Sequence, residues 1–241
     1  TRLLGKVLLE AVGKPLIILM LERVSRSKLM NEIWLATSEE RDDDLLSSVV
    51  EKAGYNIFRG SLDNVLSRFW HIGKQEKADA IVRLTGDCPL HDPKVIDAVI
   101  NHFIKNLKNV DYVSNVLPST YPDGLDTEVF TFSTLDFAYQ NATSRFDIEH
   151  VVPSIRKMAV EKGRESNFFG PADFSHLRWT VDEPEDYELI KKVFEDLYPV
   201  KKDFGWMDVI AWQTKDPQRL QINSMHKRNA GLTKSDKGRN K

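Results

Sequence analysis

From Pro15 onward the apolar positions alternate between two periods. PLIILMLERVSRS carries its Leu, Ile and Val at helical spacing, EIWLATS reads as a strand, and RDDDLLSSVVEKAG returns to a helix closed by Gly54. YNIFRG then predicts a strand, DNVLSRFWHIGKQEKA a helix, AIVRLTG a strand and DPKVIDAVINHFIKN a helix. That last helix has Asp92 at its N-cap and Pro93 in its first position. Strands rich in Val and Ile that alternate with helices predict a mostly parallel sheet covered on both faces.

After Asn106 the rhythm loosens. DYVSN and TEVFTF read as short strands joined by LPSTYPDGLD, a loop with Pro118, Pro122 and Gly124 that is long enough to rim a site. FDIEHVVPSIRKMA predicts a helix bent near Pro153, and SNFFG and LRWTV predict two more strands. In PEDYELIKKVFEDLY, residues Leu189, Ile190, Val193, Phe194 and Leu197 share one helix face, and GWMDVIAWQTKDPQRLQIN makes a last helix or helix pair. With no internal repeat or linker, residues 1–226 read as one domain, and the basic stretch 227–241 as a mobile tail.

Composition narrows the classes. The chain has 241 residues, 41% hydrophobic and 29% charged, with a formal net charge of -2, so no global attraction draws it to nucleic acid or an anionic membrane. Any anion site must be local. Cys88 is the only cysteine, which excludes an internal disulfide and a Cys-rich zinc site and favours a reducing, cytoplasmic setting. The apolar run Pro15–Leu21 is too short to span a bilayer. The histidines show no metal-binding spacing.

Three stretches can carry chemistry. In RLLGK, Gly5 lets the backbone turn close to an anion, with Arg2 and Lys6 as counter-charges; the alternative is a solvated turn with two surface cations. In AIVRLTGDCPLHDP a strand ends at Thr85, Gly86 and Asp87, where open α/β sheets bind ligands, although Asp87 also suits a plain turn. In RWTVDEPEDYELI a strand delivers Asp182, which with Glu183 also suits a helix cap ahead of Pro184. Taken together, Asp87 and Asp182 end two predicted strands, and two carboxylates plus substrate phosphates are what Mg²⁺ usually takes. Two other acidic groups read differently. Asp42, Asp43 and Asp44 lie at a helix start, where acids face the macrodipole, and Asp123-Gly-Leu-Asp126 lacks the Asp-x-Asp spacing of glycosyltransferases.

Read in order and spacing, RLLGKVLLEAVGKPLI, FRGSLDNVLSRF, VRLTGDCPLHDP, YVSN, TYPDGLDTEVF, EHVVPSI, LRWTVDEPEDYELI and LQIN resemble the cytidylyltransferases of the spore coat polysaccharide biosynthesis protein F type. These are related to the acylneuraminate and 3-deoxy-manno-octulosonate cytidylyltransferases. The resemblance covers nearly the whole chain. It implies a Rossmann-like nucleotidyltransferase fold, a three-layer sandwich, that binds CTP and Mg²⁺, passes CMP to an acidic sugar-like acceptor, and forms a homodimer. Lys6 then looks like the lysine of a triphosphate-binding loop, with Arg2 and Gly5 beside it, and Asp87 and Asp182 look like the metal ligands. Arg59, Gly60 and Ser61 resemble a segment near the nucleotide base, with Thr85 and Gly86 also on the nucleotide side. Asp123, Asp126, Glu128, Glu149 and His150 fall in the region that faces the acceptor.

Two departures bear on these expectations. Leu4 stands where the family pattern has Pro, which frees the loop's φ and removes no ligand. The family also opens with a hydrophobic strand and an Ala-Arg-x-Gly-Ser loop that have no counterpart ahead of Thr1. Either another segment takes that central place, or Lys6 stands poorly anchored. A glycosyltransferase consuming a nucleotide sugar, and a nucleotide-binding module with an incomplete catalytic loop, are the competing readings.

Overall fold

The computed structural model describes residues 5–226 and 228. Arg2 and the stretch from 227 on, apart from Arg228, lie outside the described residues.

Gly5, in the left-handed region at φ 64°, starts a single 3-10 turn over Lys6–Leu8. A small antiparallel hairpin follows, β1 (Glu10–Ala11) and β2 (Lys14–Pro15). Helix α1 (Leu16–Val24) buries every side chain except Glu22, as its nearly unbroken apolar sequence demands. The predicted alternation is then realised through β3 (Trp34–Ser38), α2 (Asp44–Lys52), β4 (Asn56–Gly60), α3 (Val65–Gln75), β5 (Ala80–Arg83) and α4 (Pro93–Lys105). The side chain of Asp92 accepts from the backbone N–H groups of Lys94 and Val95, and so caps α4. Within the acidic run, Asp43 accepts from Thr37 and Ser38, tying the end of β3 to the start of α2.

The second half holds β6 (Tyr112–Ser114), β7 (Glu128–Thr131), α5 (Phe132–Asn141), α6 (Arg145–His150), α7 (Val152–Glu161), β8 (Glu165–Asn167), α8 (Pro184–Leu197), α9 (Trp206–Thr214) and α10 (Pro217–Gln221). The expected bend near Pro153 is a break at Val151, whose φ of 66° separates α6 from α7. Helix α5 is an element that the periodicity left unread. The expected strand LRWTV is instead a buried extended segment that bonds to loops: Asp123 N–H donates to Leu177 O, and Trp179 N–H to Asp123 O. Its neighbours run beside it for only a residue or two, too briefly to form a ladder.

The strands form a mixed rather than a mostly parallel arrangement. β3 pairs parallel with β4, while the other main sheet has the order β5-β7-β6-β8. In it β7 runs antiparallel to both β5 and β6, and β6 runs parallel to β8. The reason is the connection: the chain returns from β6 to β7 through a loop with no crossover helix, and only antiparallel pairing is then in reach. Among the described residues no strand joins β3 to β5.

Strand alternation sets the layers. Val82, Val113 and Val129 face the cluster with α1, α2 and α4, whereas Ile81, Tyr112 and Phe130 face the cluster with α3, α5 and α7. Helices thus pack on both faces of the β5-β7-β6-β8 sheet. A third cluster, built on Trp179, Leu189, Phe194 and Val209, closes one end and carries the segment leading to Asp182. Among the described residues no helix is long and apolar enough to cross a membrane.

Candidate active site

The cluster forms where two chain segments are clamped together. Val181 N–H donates to Asp87 O at 2.8 Å, and the Thr180 hydroxyl donates to the same carbonyl at 3.3 Å. Asp87, in the loop that leaves β5, is thereby fixed beside Val181, the residue that precedes Asp182. Into this junction comes Lys6, whose Nζ lies 2.7 Å from Asp87 Oδ2 and 2.6 Å from Asp182 Oδ1. The structure thus brings together three predicted residues from positions 6, 87 and 182, and Lys6 is anchored by the carboxylates themselves.

Asp182 is free for this because a neighbour does the capping. Glu183 is the N-cap of α8, and Asp186 Oδ2 accepts from the N–H groups of both Asp182 and Glu183 at 3.1 Å. The side chain of Asp182 faces Lys6 and Arg178 instead.

Arg178 is the residue that sequence reasoning missed. It is 8% exposed and donates to Asp186 at 3.0 and 2.9 Å, to Asp123 Oδ2 at 3.0 Å and to Asp182 Oδ2 at 3.1 Å. Asn223 completes the arrangement by donating to Asp186 and to the Arg178 carbonyl. The available signal was a single cation inside the buried run LRWTV, where an unpaired charge is prohibitively costly.

Electrostatics follow from these contacts. Burial works against the Lys6 ammonium, but the flanking carboxylates outweigh it and raise its pKa. For Asp87, burial pushes the carboxyl up and Lys6 pulls it further down, so it is held below the usual range. Burial likewise opposes the Arg178 charge, and Asp186, Asp123 and Asp182 together hold it well above the ordinary value. Asp123 is raised, chiefly by burial and also by the charges of Asp182 and Asp87, against the pull of Arg228 and Arg178. Asp126 is raised to about 6, again mainly by burial.

The acceptor-side expectations divide. The loop with Asp123 packs on the 177–181 segment, and Gly124, at φ 109°, lies so close that a Cβ there would sit 2.7 Å from the Trp179 carbonyl carbon. Asp126 pairs with Arg228, whose guanidinium also donates to Tyr121 O, so this residue of the expected tail is tied to the loop. Glu128 lies in β7, opposite Arg83 of β5, and accepts from Arg83 at 2.6 Å and from the Tyr112 hydroxyl at 2.8 Å. Glu149 is exposed on α6, and His150 stacks edge-on to Phe146 on the same helix, which packs against α3.

On the nucleotide side, Thr85 contacts Cys88 at 3.2 Å, and Gly86 packs near Ile17 and Val7. Arg59 donates to the carbonyls of Ser38 and Glu40 and pairs with Asp44 at 2.7 Å. The Gly60 carbonyl accepts from Glu39 N–H, and Ser61 Oγ accepts from Asn64 N–H at the entry to α3. These three residues knit β4 to its surroundings, and their contacts do not reach the Lys6 cluster.

A hard divalent cation fits the donor chemistry here, since two carboxylate oxygens already converge on one cation, the ammonium of Lys6. Among the described residues no group of three or more His, Cys, Asp and Glu forms a closed cage, so substrate oxygens would complete the shell. A separate cavity of about 180 Å³ opens behind Arg178, lined by His176, Gln213, Leu220 and Asn223, away from Lys6 and Asp87.

Helices layered on a mixed sheet, with a lysine and two aspartates converging beside the exit of a strand, are the parts of a nucleotidyltransferase. The chain belongs to the cytidylyltransferase family, whose model matches residues 1–213. It is 33% identical over 233 residues, 92% of this chain and 89% of the other, to an uncharacterized protein of Methanocaldococcus jannaschii. It is also 30% identical over 203 residues, 81% of this chain and 82% of the other, to the spore coat polysaccharide biosynthesis protein SpsF of Bacillus subtilis. Among solved structures, a cytidylyltransferase from Leptospira borgpetersenii superposes with a TM-score of 0.86 at 33% identity, covering 92% of both chains. CMP:2-keto-3-deoxy-manno-octonic acid synthetase, complexed with CTP, shares the fold with a TM-score of 0.57 at 18% identity, over 80% of this chain and 93% of that one.

Proposed function

We propose that this protein transfers CMP from CTP to an acidic sugar-like acceptor in the synthesis of a surface polysaccharide or related glycoconjugate precursor. The observation that carries the reading is the convergence of Lys6 on Asp87 and Asp182. The family and the SpsF relative support CTP and the polysaccharide context.

In this reading an acceptor oxygen forms a bond to the α-phosphorus while the bond to the β-phosphate oxygen breaks. The electron pair leaves with pyrophosphate, and the acceptor proton, where there is one, passes to solvent. Such a transfer depends on positioning and charge neutralisation more than on covalent catalysis. Lys6 would neutralise the triphosphate, and Asp87 and Asp182 would hold Mg²⁺. When bound, the metal supplies charge neutralisation on the phosphate oxygens. Arg178, by gripping Asp182 and Asp123 together, would fix the spacing between the phosphate side and the acceptor loop.

The test is pyrophosphate release with CTP, Mg²⁺ and a panel of acidic sugars. Asp87→Asn and Asp182→Asn should each lower turnover at least about 10²-fold, in the range lost with one preorganised electrostatic group. Undiminished turnover in both would sink the assignment. Release of free nucleoside diphosphate from a nucleotide sugar would favour the glycosyltransferase reading.

A further inference from the structure

We propose that Lys6 is a place-holding cation: in the free protein its ammonium fills the position between Asp87 and Asp182 that a divalent cation takes in the working complex, so that metal and triphosphate must bind together. This rests on the metal reading above and adds an order of events to it.

The geometry makes the two occupants exclusive. Lys6 Nζ is within 2.7 Å of one carboxylate and 2.6 Å of the other. A Mg²⁺ ion bound to the same oxygens at about 2.1 Å would overlap the ammonium. Charge points the same way. With Lys6 seated, its ammonium offsets one of the two carboxylate charges, and Arg178, shared with Asp123 and Asp186, offsets part of the other, which weakens the attraction for a bare divalent ion.

Lys6 is also built to leave. It sits on one 3-10 turn after Gly5, outside any long helix or strand, and its ammonium ends a flexible stem. Its side chain is 19% exposed, with Asp87 at 27% and Asp182 at 31%, so the cluster is open to an arriving ligand. A triphosphate offers oxygens that replace both of its present partners, and its departure releases two carboxylates for the metal. Since each ligand removes an obstacle to the other, their affinities must rise reciprocally, within the range of about 5–150-fold usual for coupled sites.

Mn²⁺ is a suitable probe because the unbound ion is read directly by electron paramagnetic resonance. Titrated into the full chain without nucleotide, Mn²⁺ should bind Lys6→Met at least about tenfold more tightly than the unmodified protein, from the lower part of that range. On the unmodified protein, calorimetry should show CTP binding tightened by Mn²⁺, and Lys6→Met should lose most of that coupling. Lys6→Gln provides a second neutral variant if Lys6→Met melts early. An unmodified chain that binds Mn²⁺ alone as tightly as either variant overturns the place-holder. A variant that gains nothing, while Mn²⁺ still tightens CTP on the unmodified chain, overturns it too and leaves the metal reading intact. If Mn²⁺ neither binds alone nor tightens CTP on any chain, the metal reading itself falls.

Discussion

Arg23 and Arg178 are both buried, 1% and 8% exposed, and the molecule neutralises them in opposite ways. Arg23, on α1, donates to three backbone carbonyls: His91 O at 3.0 Å, Phe204 O at 2.9 Å and Leu90 O at 3.4 Å, with its guanidinium 4.3 Å from the Phe204 ring centre. Dipoles do not fully replace water, and burial lowers its pKa to about 10. Arg178 meets three carboxylates and moves the other way. The first arginine pins α1 to the loop before α4 and the turn before α9. The second links Asp186, which caps a helix, to Asp182 and Asp123 of the candidate site. Burial of a charge thus marks a structural rivet in one place and a positioning hub in the other, and the partner type tells them apart.

The largest effect should come from Arg178→Met, with kcat/KM for pyrophosphate release falling about 10²–10³-fold, the range seen when a preorganised electrostatic group is removed. Arg178→Lys keeps the charge without the planar fork and should recover stability more than turnover. Full turnover in Arg178→Lys would break the distinction. Next, Arg23→Met strips donors from three carbonyls and should cost about 3 kcal/mol in urea unfolding, at roughly 1 kcal/mol for each lost bond. Its turnover per folded molecule should stay at the unmodified level. Asn223→Ala, which removes a support behind Arg178, should cost about 1–2 kcal/mol by the same measurement.

A smaller effect separates Asp126 from the strongly held acids. Its carboxyl is raised to about 6, so between its ordinary value and 6 the folded state binds more protons than the unfolded one. Stability therefore falls as pH rises through that window. Asp126→Asn removes this term, and the melting temperature of the variant relative to the unmodified protein should climb from pH 4 to pH 7; a flat difference would count against it. The smallest effect is Arg145→Ala, whose bond to Asp63 joins side chains 78% and 76% exposed, and whose unfolding midpoint should not measurably move.

How much of this was legible follows from where each signal lies. The helices and strands from Pro15 to Lys105 are written in local periodicity and appear where expected. The direction of β7 is not local, because the loop before it decides the pairing. Helix α5 escaped because its buried face carries one large aliphatic side chain, Leu135, between Thr134 and Ala138, so its apolar signal is weak. Lys6, Asp87 and Asp182 could be nominated from motifs. The hub could not, since the partners of Arg178 lie 55, 4 and 8 residues away and one of them, Asp186, reads as an ordinary helix-start acid.

The contact at Gly124 has a consequence for anyone who wishes to vary the loop over residues 121–127. In the loop around it Tyr121, Asp123 and Thr127 are buried, and Asp126 is half-buried against Arg228. Gly124 is a constant: any side chain would meet the Trp179 backbone at under 3 Å and lever the loop outward, carrying Asp123 away from Arg178. A library at Asp126 that leaves Gly124 alone would vary the loop on an unchanged backbone, whereas one that includes Gly124 would spend much of its diversity on displaced loops.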